Sequence, residues 1–327
     1  MGTKLISDTA IFYGDKKNLG QYDNGVWMDI LQIPYLQKLE QASLYDIVIR
    51  TLWLESIGWS KEIKSRWPQI RLIGLSDHPL STHISRLSAN KQAAYIDDLQ
   101  YLDGIMALTE EERQWYQTTV PSIPVERVGL PFPVESYTQQ YGNLQSNKKE
   151  FIGLGVGAAD NDRNFVSNIL AFKKLQLNNP ELVGIFLSVP HQLMPYCAYW
   201  ADRLQNVFIH ERTEMGEFYE MLSRCKFVIS LTDRNTPGRI QGEAAFFNIP
   251  VIGSNRLELQ DELFPQWSVS PFSIEDVVTH GQWILDNPEA AAALTLGANK
   301  KLLDNYNYDI SRERYNNLLA RIEAVNT

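Results

Sequence analysis

The sequence predicts an α/β protein built from two doubly wound parallel sheets, and three observations carry that expectation. Short apolar runs alternate with amphipathic segments from end to end, the trace that βα units leave in a chain. The alternation breaks once: Thr138 to Lys149, TQQYGNLQSNKK, gathers Gly, Asn, Gln and Lys and loses its periodicity. Residues 226–254, KFVISLTDRNTPGRIQGEAAFFNIPVIGS, spell a strand, a polar Gly-containing loop, a helix and a second strand, the repeating unit of such sheets. The expected partition is a first domain at 1–140, a linker at 141–149 and a second domain at 150–307. A terminal helix at 308–327 is expected to return toward the first domain.

In the first domain the apolar runs place strands at Ala10–Tyr13, Tyr45–Arg50, Ile70–Leu75, Gly104–Leu108 and Val125–Leu130. Helices are expected between them at Val26–Ala42, interrupted at Pro34, and at Ser60–Arg66, Ser81–Asp97 and Glu110–Gln117. After the linker, strands are expected at Phe151–Val156, Leu182–Val189, Val207–His210, Phe227–Leu231, Ile249–Ser254 and Trp267–Ser270. The helices there are Asn164–Leu175, His191–Leu204, Glu214–Arg224, Arg239–Phe247, Ile274–Asp286, Pro288–Asn305 and Tyr308–Val325. Pro288 is a good first helical residue, and Asp309 stands at a capping position.

With 327 residues, 44% of them hydrophobic, the chain can fill two cores. A net charge of −9 argues against a general nucleic-acid or anionic-membrane surface, while leaving room for a local basic groove. Cys197 and Cys225 are too few for a disulfide framework or a metal knuckle. The opening MGTKLISDTAIFYG lacks the apolar core of a signal peptide, and no apolar run reaches membrane-spanning length, so a cytoplasmic protein is expected.

The chemistry concentrates after the Phe227–Leu231 strand. A loop opening a helix aims free backbone N–H groups and the positive helix end at whatever lies above the strand, so an anion is the natural guest. Gly238 closes the turn-rich loop, Arg239 adds a fixed cation, and Glu243 one turn later can accept hydrogen bonds from sugar hydroxyls. A phosphorylated, sugar-containing ligand is implied. Gly153-Leu154-Gly155-Val156-Gly157 offers a second close backbone approach, but it lacks the GxGxxG spacing of a dinucleotide site. Asp160-Asn161-Asp162 reads as a turn rather than a metal pair.

Three ordered segments resemble the GT-B glycosyltransferases, most nearly the retaining family 4 group. Tyr101 to Glu110, YLDGIMALTE, resembles that group's strand-to-helix step "aDgiialSe". Val125 to Pro131, VERVGLP, resembles the strand closing its first domain, and residues 226–254 resemble its donor-binding core "vlPS..EGfG...lEAmacGlPVIas". The resemblance implies two facing Rossmann-like domains with a cleft between them, the first on the acceptor side and the second binding a nucleotide-diphosphate sugar. It places Glu243 on the nucleotide ribose. The family's first glutamate, eight residues earlier, is here Asn235, with Asp233 a nearby carboxylate that could substitute. Of the family's phosphate-clamping Arg and Lys, Arg163 aligns with the Lys and Ala158 replaces the Arg. Arg239, or after it Arg234, could supply the missing cation, Gly157 approaches the phosphates, and Arg212 lies beside the base. His78 and Asp77, at a strand end of the first domain, become candidates for orienting the acceptor hydroxyl and accepting its proton. No cofactor and no metal are implied. The expected partners are a UDP- or GDP-linked sugar and a glycan or other hydroxyl acceptor, with a nucleic-acid acceptor disfavoured by the charge. Asn235 and Ala158 also keep open a non-catalytic relative that binds nucleotide or glycan, or supports a partner.

Overall fold

The computed structural model describes residues 9–12, 23–36, 38–53, 56–76, 84, 87–155, 164–211 and 214–325. The chain divides into two compact units, Met1–Pro133 together with Tyr306–Thr327, and Val134–Asn305.

The first unit contains β1 (Thr9–Phe12), α1 (Asp23–Leu31), β2 (Tyr35–Leu36), β3 (Ile47–Thr51), α2 (Trp59–Arg66), β4 (Arg71–Leu75) and α3 (Ala89–Leu99). It continues with β5 (Gly104–Ala107), α4 (Glu110–Thr119) and β6 (Val125–Arg127). Its six strands lie in the order β2-β1-β3-β4-β5-β6, and every pairing is parallel. A parallel sheet is covered on both faces, so its strands read as unbroken apolar runs. The alternation appears only in which core each residue enters. Ile47 and Ile49 of β3, Ile73 of β4 and Met106 of β5 join Trp27, Ile30, Leu318 and Ile322 on one face. Val48, Leu72 and Ile105 join Tyr95, Leu99 and Tyr116 on the other. The terminal helix therefore belongs to the core of the first unit, although 306–327 follow the second in sequence.

The second unit contains α5 (Val134–Tyr141), β7 (Phe151–Leu154), α6 (Phe165–Asn178), β8 (Val183–Val189), α7 (Met194–Ala201), β9 (Val207–Glu211), α8 (Met215–Ser223) and β10 (Cys225–Ser230). It ends with α9 (Arg239–Phe246), β11 (Val251–Ser254), α10 (Glu258–Leu263), β12 (Ser268–Val269), α11 (Ile274–Asp286) and α12 (Pro288–Asn305). The last helix of the chain is α13 (Tyr308–Val325). The sheet is again all parallel, in the order β12-β11-β10-β7-β8-β9. Among the described residues, no helix is long and apolar enough to cross a membrane.

Three elements differ from the sequence expectation. The helix expected over Val26–Ala42 ends at Leu31 and gives way to β2 and a 3-10 turn at Leu39–Leu44. Proline disfavours helical backbone at the residue before it, and Gln32 already turns out of the helix at φ +55°. Part of the expected linker is structured: α5 runs through Tyr141 and a 3-10 turn covers Gly142–Ser146. Tyr137 and Tyr141 each pack their rings against Tyr219 of α8, which holds this segment to the second unit. Helix α10 was not expected, because six residues are too few to show a helical period.

Candidate functional site

In the second sheet the chain lays down β7, β8 and β9 outward, then returns to place β10 on the other side of β7. The order reverses between β7 and β10. In open α/β sheets ligands bind outside the carboxyl ends of the strands at such a reversal. Two loops leave the sheet there. The one after β7 carries Gly157 and Arg163, and the one after β10 carries Asp233, Asn235 and Gly238 and leads into Arg239. The strand order thus sets β7 and β10, widely separated in sequence, side by side.

Gly157, Arg163, Arg212, Asp77 and His78 lie outside the described residues, as does Asp160-Asn161-Asp162. The described strand that precedes Asp77 and His78 is β4, and the order of the first sheet reverses between β1 and β3.

The loop after β10 is tied down at several points. The Leu231 N–H donates to Asn168 Oδ1 at 3.0 Å and the Arg234 N–H to Thr232 Oγ1 at 3.2 Å. The Thr236 N–H reaches the Arg256 carbonyl at 3.2 Å, while the Glu258 and Leu259 N–H groups reach the Thr236 and Pro237 carbonyls at 3.1 and 2.9 Å. Gly238 sits at φ +88°, and a Cβ there would lie 2.8 Å from Gln241 Oε1. Only glycine enters α9 comfortably by this route. Along this stretch Asp233 is exposed, Arg234 is buried at 9% exposure, and Asn235 and Arg239 are half-buried.

A buried amide pair fixes α9 against β11. Gln241 Nε2 donates to Gln260 Oε1 at 3.2 Å, and Gln260 Nε2 donates to the Val251, Phe264 and Trp267 carbonyls at 3.0, 3.1 and 3.3 Å. The pair lies directly over Gly253, where a Cβ would fall 2.1 Å from Gln260 Oε1. Gly253→Ala should displace Gln260 and leave carbonyls unpaired, costing about 1–3 kcal/mol. Urea denaturation checks this, and an unchanged midpoint would show that the pair moves aside freely.

Glu243 lies in the second turn of α9 and is 4% exposed. The Tyr219 hydroxyl donates to its Oε1 at 3.3 Å, and its other carboxylate oxygen accepts no hydrogen bond among the described residues. Burial pushes its carboxyl up to about 7, against the opposing pull of the Arg239 charge and the Tyr219 hydrogen bond. Arg239, expected as a phosphate cation, is thus also the charge that acts on Glu243. Behind them the Tyr137 hydroxyl is hydrogen-bonded to that of Tyr219, inside a cluster of Tyr141, Phe246 and Phe247 rings. Tyr137 and Tyr219 were missed in the sequence. The amphipathic pattern of α8 places Phe218, Tyr219 and Leu222 inward, but nothing local says that one hydroxyl meets a carboxylate from another helix.

No known protein family matches the chain, and no curated protein matches it. Solved structures do. HepE from Anabaena, in complex with UDP-glucose, is 11% identical, with a TM-score of 0.73, covering 95% of this chain and 99% of that one. The UDP-forming trehalose-phosphate synthase of Burkholderia xenovorans is 12% identical, with a TM-score of 0.72 over 88% of this chain and 78% of that one. Sucrose-phosphate synthase of Thermosynechococcus elongatus is 15% identical, with a TM-score of 0.69 over 94% and 79%. The fold class is GT-B. At these identities the likeness carries the fold, two Rossmann-like units with parallel sheets, and nothing finer.

Proposed function

We propose that the protein is a glycosyltransferase that moves a sugar from a nucleotide-diphosphate sugar to a hydroxyl acceptor, with the donor held at the carboxyl ends of β7 and β10. The observation that carries this is Glu243: a buried carboxylate beside the sheet reversal, with one oxygen held by Tyr219 and the other unclaimed within the described residues. A carboxylate reads vicinal ribose hydroxyls well, because hydrogen bonds to an ionised acceptor are roughly twice as strong as neutral ones. The UDP-glucose bound to the Anabaena structure supports a UDP-linked donor before a GDP-linked one.

In this reading the resemblance to the retaining family 4 enzymes sets the stereochemistry. The bond from the anomeric carbon to the diphosphate oxygen breaks, the acceptor oxygen bonds to that carbon on the same face, and the acceptor proton passes to the departing diphosphate. Arg239, Arg163 and the positive end of α9 stabilise the charge that builds on the diphosphate. No metal and no protein nucleophile is required, and the contribution of the chain is positioning. Asp77 and His78 would orient the acceptor hydroxyl, Gly157 and Gly238 admit the phosphates, Arg212 lies by the base, and Asp233 and Asn235 face the transferred sugar. The protein is expected in the cytoplasm.

Ligands that bind only the folded state raise its melting midpoint, by about 2.7 kcal/mol of stability at a hundredfold excess over the dissociation constant. Thermal shifts with UDP, GDP and their glucose and mannose conjugates should rank base and sugar together, and the absence of a shift with all of them would remove the donor site. Asn235, in place of the family's sugar-contacting carboxylate, favours a second reading: a binding protein that holds the nucleotide sugar without transferring it. Binding with neither transfer nor hydrolysis across a panel of glycan acceptors would select that reading.

A further inference from the structure

We infer that Tyr219 is a positioning residue for Glu243, and that the hydrogen-bonded chain Tyr137–Tyr219–Glu243 aims that carboxylate at a nucleoside and helps hold it ionised, so that losing the chain weakens donor binding most at neutral pH. The inference rests on the donor-site reading above.

The direction of the chain follows from counting protons. Each phenol has one hydrogen. The Tyr219 hydroxyl spends its hydrogen on Glu243 Oε1, so in the contact between the two phenols Tyr137 must be the donor. The order is Tyr137 to Tyr219 to Glu243 while Glu243 is ionised. A phenol that accepts one hydrogen bond is a better donor in the next, so Tyr137 strengthens the hold of Tyr219 on the carboxylate. When Glu243 takes up a proton it becomes a donor itself, and the Tyr219 contact must turn round.

All three side chains sit on different helices, α5, α8 and α9, so the chain also fixes where the carboxylate points. The ionisable groups that act on Glu243 are Arg239 on its own helix and Tyr219 on α8, with Tyr137 of α5 behind Tyr219. Burial favours the protonated carboxyl, while Arg239 and Tyr219 favour the ionised one. A donor's ribose hydroxyls prefer the ionised acceptor. Removing the Tyr219 hydroxyl therefore tips Glu243 toward its proton and weakens nucleotide binding most at neutral pH. A residue that merely packs would weaken binding equally at every pH.

The test pairs two measurements on the full chain, with Tyr219→Phe and Tyr137→Phe, each of which removes one oxygen and keeps the ring. The first follows the Glu243 carboxyl by infrared difference titration against Glu243→Gln, with no nucleotide present. Tyr219→Phe should move the titration midpoint to higher pH, and Tyr137→Phe should move it the same way by less. The second measures UDP affinity by calorimetry from pH 6 to pH 9. Tyr219→Phe should weaken UDP binding about three- to tenfold at pH 7 and recover most of the loss at pH 9, where the carboxyl ionises again. An unmoved carboxyl midpoint in both variants overturns the inference, as does an affinity loss that is the same at all pH values. If the wild type binds neither UDP nor GDP at any pH, the donor-site reading falls, while the titration still decides whether the chain controls the carboxylate.

Discussion

Glu243→Gln is expected to make the protein more stable at pH 8 while removing its nucleotide response. The carboxyl of Glu243 is raised by burial from 4.5 to about 7. A group whose folded value lies above its unfolded value binds its proton more tightly in the folded state. Its favourable contribution is complete below 4.5 and is lost as pH rises through about 7, so at pH 8 the fold carries an ionised carboxylate it would rather protonate. The linkage cost is about 3 kcal/mol. Glutamine keeps the shape and still accepts from Tyr219, so most of this should return as a higher urea midpoint at pH 8, with almost no difference from wild type at pH 4. The gain and the loss have one origin. On the proposed donor-site reading, binding is what offsets the cost of burying this carboxylate. Equal stability of the two proteins at pH 8 would mean that Glu243 is solvated, and the geometry argued for the site would be wrong.

Asp98→Ala is expected to cost about 3–5 kcal/mol, the largest stability loss proposed for the first unit. Arg50 of β3 is 1% exposed and Asp98 of α3 is 4% exposed, and Arg50 Nη1 meets Asp98 Oδ2 at 2.7 Å. Nη1 also donates to Ser60 Oγ at 2.7 Å and Nη2 to Ser56 Oγ at 3.0 Å, but Nε finds no partner among the described residues. Burial lowers the Arg50 pKa and Asp98 is the main group that restores it. Removing Asp98 leaves a guanidinium stranded beneath α2 and α3. Replacing both members by apolar groups of similar volume, Arg50→Met with Asp98→Leu, should recover most of the loss, because the penalty lies in the uncompensated charge. Urea denaturation of the single and double variants separates the two. A mild single-variant loss, below about 1 kcal/mol, would show that water reaches Arg50 when Asp98 is gone.

Much of this protein is written locally. The strands are legible because both faces of a parallel sheet are buried, so the apolar stretches within the expected Tyr45–Arg50 and Phe227–Leu231 mark the strands found at Ile47–Thr51 and Cys225–Ser230. The start of α9 is legible because a turn-rich loop ending in Gly238, followed by Arg239, is a pattern within a few residues. Elements set by distant contacts were not legible. Helix α5 lay in a stretch read partly as linker, because its inward residues are the tyrosines 137 and 141, polar by composition and aromatic by packing. The two-residue strand β2 and the six-residue α10 are too short to carry a period.

The sequence by itself determined the α/β class and most of its longer strands and helices, and it made Glu243 a candidate, since periodicity and turn chemistry are properties of neighbours along the chain. Only the tertiary structure decided the state of that residue. It buried the carboxylate, set Arg239 one turn away and brought Tyr219 and Tyr137 from two other helices to its side. Protonation depends on desolvation and on charges within a few ångströms, and those are settled by which surfaces pack together.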